Sequence, residues 1–179
     1  ITQNILYSAK DRKPTFQEVL PSDLARQAGQ LYADKAQALG VQLQLQVNPD
    51  IPAQEMDPSG ISRTLSNLVW NALQACQKDT EKSKHTVHLR LDYYDDFHFM
   101  FEVEDNASGM DHETKKNIFT EFYSTKGHTG TGLGLMVVER IVKNHQGKIE
   151  VLSKPGRGSL FRIIFPIQIN AFINNMHMH

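Results

Sequence analysis

Three groups of residues have the types and spacing to do chemistry: Asn67 with Asn71, Asp105 with the turn Asn106-Ala107-Ser108-Gly109, and the run Gly130-Thr131-Gly132-Leu133-Gly134. Side-chain amide oxygens are hard, neutral ligands that suit Mg²⁺, an ion that keeps several waters and shares protein oxygens with substrate phosphates. A carboxylate followed by small turn residues can accept a hydrogen bond from an exocyclic amine such as adenine N6 while a flat ring approaches the backbone. Glycines that open a helix offer backbone amides and a helix N-terminus to anions. Each group also has a plainer reading. The amides could be solvated helix residues, Asp105 could bond its own turn amides, and the glycines could be a linker. The glycine run is neither the strand-first G-x-G-x-x-G fingerprint nor a P-loop, which needs Gly-Lys-Ser/Thr. Only the joint occurrence of the three, on suitable elements, points to a nucleotide.

The elements that must position these residues follow from apolar periodicity. Thr15–Leu20 reads as a connector with a possible edge strand. Ser22 is placed to cap a helix running to about Leu39 and ended by Gly40. Leu24, Ala28, Leu31, Ala38 and Leu39 form its inner face, interrupted by Lys35, whose stem can lie along the core edge. Val41–Val47 alternates strictly, as a strand with one wet face does. After the loop Asn48–Pro52, Asp57-Pro58 starts a second helix with Ile61, Leu65, Leu68, Ala72 and Ala75 inward, and Asn67 and Asn71 one turn apart on an adjacent face. A charged loop, 77–84, precedes a hairpin turned by Asp95-Asp96. Its second strand puts Phe97, Phe99, Phe101, Val103 and Asp105 in one phase, so the carboxylate falls on the buried side. Asp111 caps a short helix to Phe119. The polar stretch Ser124–Thr131 is read as mobile. A helix from Leu133 to His145 turns Leu135, Val138, Ile141 and Val142 inward and is stopped by Gly147, and strands 148–153 and 159–166 finish the core.

With 179 residues, 40% hydrophobic and 22% charged, the chain suits one domain with a sizeable core. Nineteen Lys+Arg against 20 Asp+Glu leave a net charge of −1, which favours neither nucleic acid nor a membrane surface as partner. The single cysteine, Cys76, excludes an internal disulfide and reads as a small core residue. The chain starts at Ile1 rather than Met and reads as a piece of a longer protein, with any membrane-spanning or sensory part upstream.

At this point the chain resembles the ATPase superfamily that unites gyrase, heat-shock chaperones, histidine kinases and mismatch-repair proteins. Asn67-Leu-Val-Trp-Asn71-Ala-Leu-Gln-Ala75 is similar to its N box and Asp105-Asn-Ala-Ser-Gly109 to its G1 box. Ile118-Phe-Thr-Glu-Phe-Tyr-Ser-Thr-Lys126 resembles the F box of histidine kinases. Gly130-Thr-Gly-Leu-Gly-Leu135 matches the G2 box, and Gly156-Arg-Gly-Ser159 with Phe161 the last glycine box. Asp57-Pro58 and Asn144-His-Gln-Gly147 also fit the kinase pattern, and the short lid is like that of the nitrogen-regulation type.

The resemblance implies an α/β (α+β) two-layer sandwich: a mixed, mostly antiparallel sheet with three main helices on one face, the Bergerat-type ATP-binding fold. Residues 1–14 would end an upstream helix or linker, 15–167 would be the ATP-binding catalytic domain, and 168–179 a tail. Asn71 would coordinate Mg²⁺ with Asn67 alongside. Asp105 would accept the adenine amine, and Gly109 would let the ring pack close. Gly130, Gly132 and Gly134 would hold phosphates. Lys126, in a lid formed by Ser124–Thr131, would reach the γ-phosphate. Ser159 stands where a threonine usually assists the aspartate. Met110, Thr125, Thr131 and Leu133 complete the implied ATP-binding set, and Asn67, Asn71 and Lys126 the implied catalytic set. The γ-phosphoryl would pass to a histidine on a separate dimerisation domain, then to the receiver domain of a response regulator. The fragment itself is expected to be monomeric and cytoplasmic, without membrane contact, within a homodimeric protein.

Two departures stand out. Ala107 replaces the usual G1 glycine, and if that position needs φ > 0 the methyl costs roughly 1 kcal/mol. Asn67 stands where hydrolytic members carry Glu. An amide cannot be a general base, which favours kinases whose incoming imidazole is its own nucleophile. None of the eight histidines fits as the phosphoacceptor. His112 reads as solvated and His128 as a lid residue. His145 lies at a helix end, where a cation suits the dipole. Met176-His-Met-His179 reads as a frayed tail.

Overall fold

The computed structural model describes residues 13–120 and 134–168. The elements run β1 (Gln17–Val19), α1 (Pro21–Ala38), β2 (Val41–Val47), β3 (Gln54–Met56), α2 (Pro58–Lys78), β4 (His85–Asp95), β5 (His98–Asp105), α3 (His112–Asn117), α4 (Gly134–Asn144), β6 (Lys148–Lys154) and β7 (Gly158–Pro166). Five strands form one sheet in the order β2-β4-β5-β7-β6, while β1 and β3 pair by themselves. Only the β2–β4 pairing is parallel, so the sheet is mixed and mostly antiparallel.

Period-2 alternation decides which face is covered. Val87, Leu89 and Leu91 of β4, Phe99, Phe101 and Val103 of β5, and Ile163 and Phe165 of β7 share one cluster with Leu24, Ala25 and Ala28 of α1, Ile61, Leu65 and Leu68 of α2, and Val138 and Val142 of α4. The three longer helices thus cover one face. The other phase mixes the buried pair Met100 and Ile164 with charged residues. Glu102, 2% exposed, accepts from Arg162 Nε and Nη2 at 2.8 and 2.6 Å and from Arg90 Nη1 at 3.0 Å. Those charged donors offset the desolvation of its carboxylate.

Several local expectations are corrected. Helix α1 starts at Pro21 after Leu20, and Ser22 is buried in the first turn rather than capping. Leu31 is 67% exposed and lies off the inner face. Lys35 reaches across to Trp70, its Nζ 3.8 Å from the ring centroid, a cation–π contact that explains a lysine beside the stripe. Helix α2 runs on to Lys78, into the stretch read as loop, and β3 was not legible at all. Strand β5 begins at His98 and leaves Phe97 in the hairpin tip, 73% exposed, because the apolar phase outruns the covered sheet. After α4 the left-handed residue is Gln146, at φ 57°, not Gly147. Gly147 is small for packing: a Cβ there would lie 2.7 Å from Phe165 Cδ1.

Candidate nucleotide site

Asp105 is the last residue of β5 and sits opposite Ser159 of β7. Its side chain is buried, and its Oδ1 accepts the Ala107 amide at 3.0 Å. Burial pushes the carboxyl up to about 6, and the amides of Ala107 and Ser159 only partly oppose this. The plainer reading of Asp105 is seen directly in the bond to its own turn. It closes its own turn and still presents a desolvated carboxylate, the state in which a new hydrogen-bond donor gains most.

The turn after Asp105 is held from two sides. Asn106 Oδ1 accepts the Thr86 amide at 2.9 Å and its Nδ2 donates to the Lys84 carbonyl at 3.1 Å, extending the β4–β5 ladder with a side chain. Lys82 Nζ donates to the carbonyls of Asn106 and Ala107. Ala107 is fully buried and is not among the positive-φ residues, so its methyl strains nothing. Gly109 is the residue that needs its freedom: φ is 69°, and a Cβ would lie 2.1 Å from the Lys154 carbonyl oxygen. Met110 donates its amide to Ser153 Oγ at 2.8 Å. Ser153 Oγ in turn lies 2.9 Å from Ser159 Oγ and donates to the Gly158 carbonyl at 3.0 Å. Asp105, Gly109, Met110 and Ser159 are thus one assembly across the ends of β5, β6 and β7.

Asn67 and Asn71 are half-buried on α2. Asn67 Nδ2 donates to the carbonyl of Gly134, the first residue of α4, at 3.3 Å. Helix α2 also links the two halves of the site. Cys76, near the end of the helix, has its thiol pushed to about 12, first by burial and next by the charge of the Asp105 carboxylate. At 1.5 Å rise per residue, Asn71 lies about 7.5 Å and Asn67 about 13.5 Å from Cys76 along the axis. One helix therefore carries both half-buried amides, Asn67 and Asn71. Among the described residues no group of three or more His, Cys, Asp or Glu could hold a metal.

Thr125, Lys126, Gly130, Thr131, Gly132 and Leu133 lie outside the described residues, as do His128 and the C-terminal histidines. Lys82 and Ser153 were missed by sequence reasoning. Nothing in a loop lysine or a strand serine signals contacts that depend on three separate chain segments. His145 is corrected: it is buried, 7% exposed, and burial holds its pKa below the ordinary imidazole value, so it is no surface cation.

Residues 56–169 match the family model described as histidine kinase-, DNA gyrase B- and HSP90-like ATPase. Sporulation kinase E of Bacillus subtilis is 30% identical over 96% of this chain and 22% of the relative. The sensor histidine kinase ZraS of Escherichia coli is 31% identical over 94% of this chain and 35% of the relative. The chain thus spans only about a fifth to a third of these curated relatives. The solved catalytic domain of histidine kinase ThkA superposes with a TM-score of 0.72 at 27% identity, covering 86% of this chain and 96% of that one. Full-length ShkA, solved in complex with AMPPNP, gives 0.75 at 25% identity, covering 89% and 33%. The chain belongs to the histidine kinase-, DNA gyrase B- and HSP90-like ATPase family, and within it has the fold of a histidine kinase catalytic domain.

Proposed function

We propose that this domain binds Mg·ATP and presents the γ-phosphoryl group to a histidine of a separate dimerisation domain, from which it passes to a response-regulator receiver domain. The observation that carries this reading is the desolvated Asp105 carboxylate beside Gly109, whose missing Cβ leaves the turn close-packed. The adenine amine would donate to Asp105, and Met110 and Ser159 would border the ring. Asn71 would supply the protein oxygen to Mg²⁺, which contributes charge neutralisation at the phosphates. Asn67 would hold the start of α4 in place through Gly134. Thr125, Lys126, Gly130, Thr131, Gly132 and Leu133 are proposed to complete the phosphate side. The domain's contribution is positioning and electrostatics, with no covalent step on its own residues.

A hydrolytic clamp of the same superfamily is disfavoured by Asn67, which offers no base for water. A degenerate module that keeps the fold to bind a partner, with nucleotide affinity lost through Ala107, is disfavoured because Ala107 has no positive φ. Titration calorimetry with a non-hydrolysable ATP analogue, with and without Mg²⁺, tests the reading. Metal-dependent binding within a decade or two of about −6 kcal/mol is expected. Absence of binding at millimolar ligand would overturn it.

A further inference from the structure

Both ends of α4 are tied to α2. At one end Asn67 Nδ2 bonds the Gly134 carbonyl at 3.3 Å; at the other the Asp57 amide donates to His145 Nε2 at 2.9 Å. From Asp57 to Asn67 the chain rises about 15 Å, and from Gly134 to His145 about 16 Å. The spans match, so the two bonds act as one clip that fixes the axial register of the helices. At the Asn67 end a Cβ on Gly134 would meet the carboxamide at an ordinary 3.8 Å. Steric contact there does not set the register, which is left to the packing of Ile141 over Gly60 and to the distant bond.

The chemistry of His145 suits this role. Its Nδ1 lies 2.7 Å from the Ile141 carbonyl oxygen, which can only accept, so Nδ1 carries the proton and Nε2 is the acceptor. The Asp57 amide, at the start of α2, donates to the imidazole. The ring is seated between Phe165, at 5.8 Å between centroids, and Phe16, at 4.8 Å. Phe16 is 42% exposed and immediately precedes β1, where the chain enters the domain.

We propose that His145 is a positioning residue for the nucleotide site: it clips the end of α4 to the start of α2, sets where Gly134 stands against Asn67, and is itself seated by Phe16 of the incoming chain. The inference rests on the nucleotide reading above and gives the entering segment a route to that site. A glutamine side chain can place its amide oxygen where Nε2 stands, whereas asparagine reaches only the Nδ1 position.

The test is binding of a non-hydrolysable ATP analogue with Mg²⁺, at a temperature where every variant compared is folded. His145→Gln should bind within a few-fold of the parent, and His145→Asn about tenfold or more weaker, a coupling within the ordinary range between linked sites. Phe16→Ala, at an exposed position, should weaken binding a few-fold. By reciprocity, saturating nucleotide should slow hydrogen exchange of the Asp57 amide in the parent protein, a readout that holds even where His145→Asn does not fold. The proposal is overturned if the parent binds nucleotide and His145→Asn binds as tightly, if Gln and Asn lose affinity equally, if Phe16→Ala binds as the parent does, or if the Asp57 amide is indifferent to nucleotide. A parent protein that binds no nucleotide removes the proposal together with the site reading beneath it.

Discussion

The Cβ that Gly109 lacks would lie 2.1 Å from the carbonyl oxygen of Lys154 and 2.9 Å from that of Gly158. Both obstacles are backbone, so no rotamer change relieves them. At φ 69° an L-residue adds about 1–2 kcal/mol of its own. Gly109→Ala is therefore expected to lose at least about 2 kcal/mol in urea unfolding and to lose nucleotide binding, whereas Ala107→Gly should change affinity little. A Gly109→Ala protein with parental stability would show that the turn is not close-packed.

The Asp105 carboxyl, raised from 3.8 to about 6, makes a signed prediction for pH. A folded-state pKa above the unfolded value contributes stability that is full below the unfolded pKa and is lost as pH rises through the folded one. An amine donor bonds the ionised form more strongly than the neutral acid, so affinity for the ATP analogue should fall as pH drops through about 6. Asp105→Asn keeps an oxygen for the Ala107 amide and removes the cost of ionisation. Nucleotide binding should weaken about ten- to hundredfold, while the melting temperature of the nucleotide-free protein at pH 8 stays level or rises. A flat affinity profile between pH 5 and 8 would place the adenine acceptor elsewhere.

Asn71→Ala tests the metal. If its oxygen is the protein's ligand to Mg²⁺, the gain in ATP affinity on adding Mg²⁺ should shrink about tenfold or more, with little effect on binding of metal-free adenosine. A variant with parental metal dependence would exclude Asn71 as the ligand.

Asn106→Ala removes the acceptor for the Thr86 amide and the donor to the Lys84 carbonyl. A loss of about 1–3 kcal/mol in chemical unfolding is expected, with weaker nucleotide binding because the turn that carries Asp105 is no longer pinned to β4. Lys82→Met should act the same way more mildly, since part-exposed cations are screened. Stability unchanged in both variants would mean the loop before β4 does not brace the turn.

Where local periodicity is coupled to burial, the sequence was sufficient. The phase Phe99, Phe101, Val103, Asp105 fixed the carboxylate on the covered face, because a strand alternates strictly and three apolar residues leave no other choice. Asp57-Pro58 marked the start of α2, since proline's fixed φ suits the first helical turn, and Asn67 and Asn71 followed as neighbours one turn apart. The same logic failed at Phe97 and Leu31, where apolar residues continue past the edge of what covers them. Nothing in the sequence says where a neighbouring element ends.

Tertiary structure alone decided which orphan groups find each other. Asp57 was read correctly as the start of a helix, yet its amide is bonded by His145, 88 residues away. Ala107 looked like a strained substitution until the turn's dihedrals placed the positive φ at Gly109. The raised pKa of Asp105 likewise comes from what packs around it. Sequence carries periods and conformational allowances, which act within a few residues. Desolvation and hydrogen-bond partnership act between segments that only folding brings together.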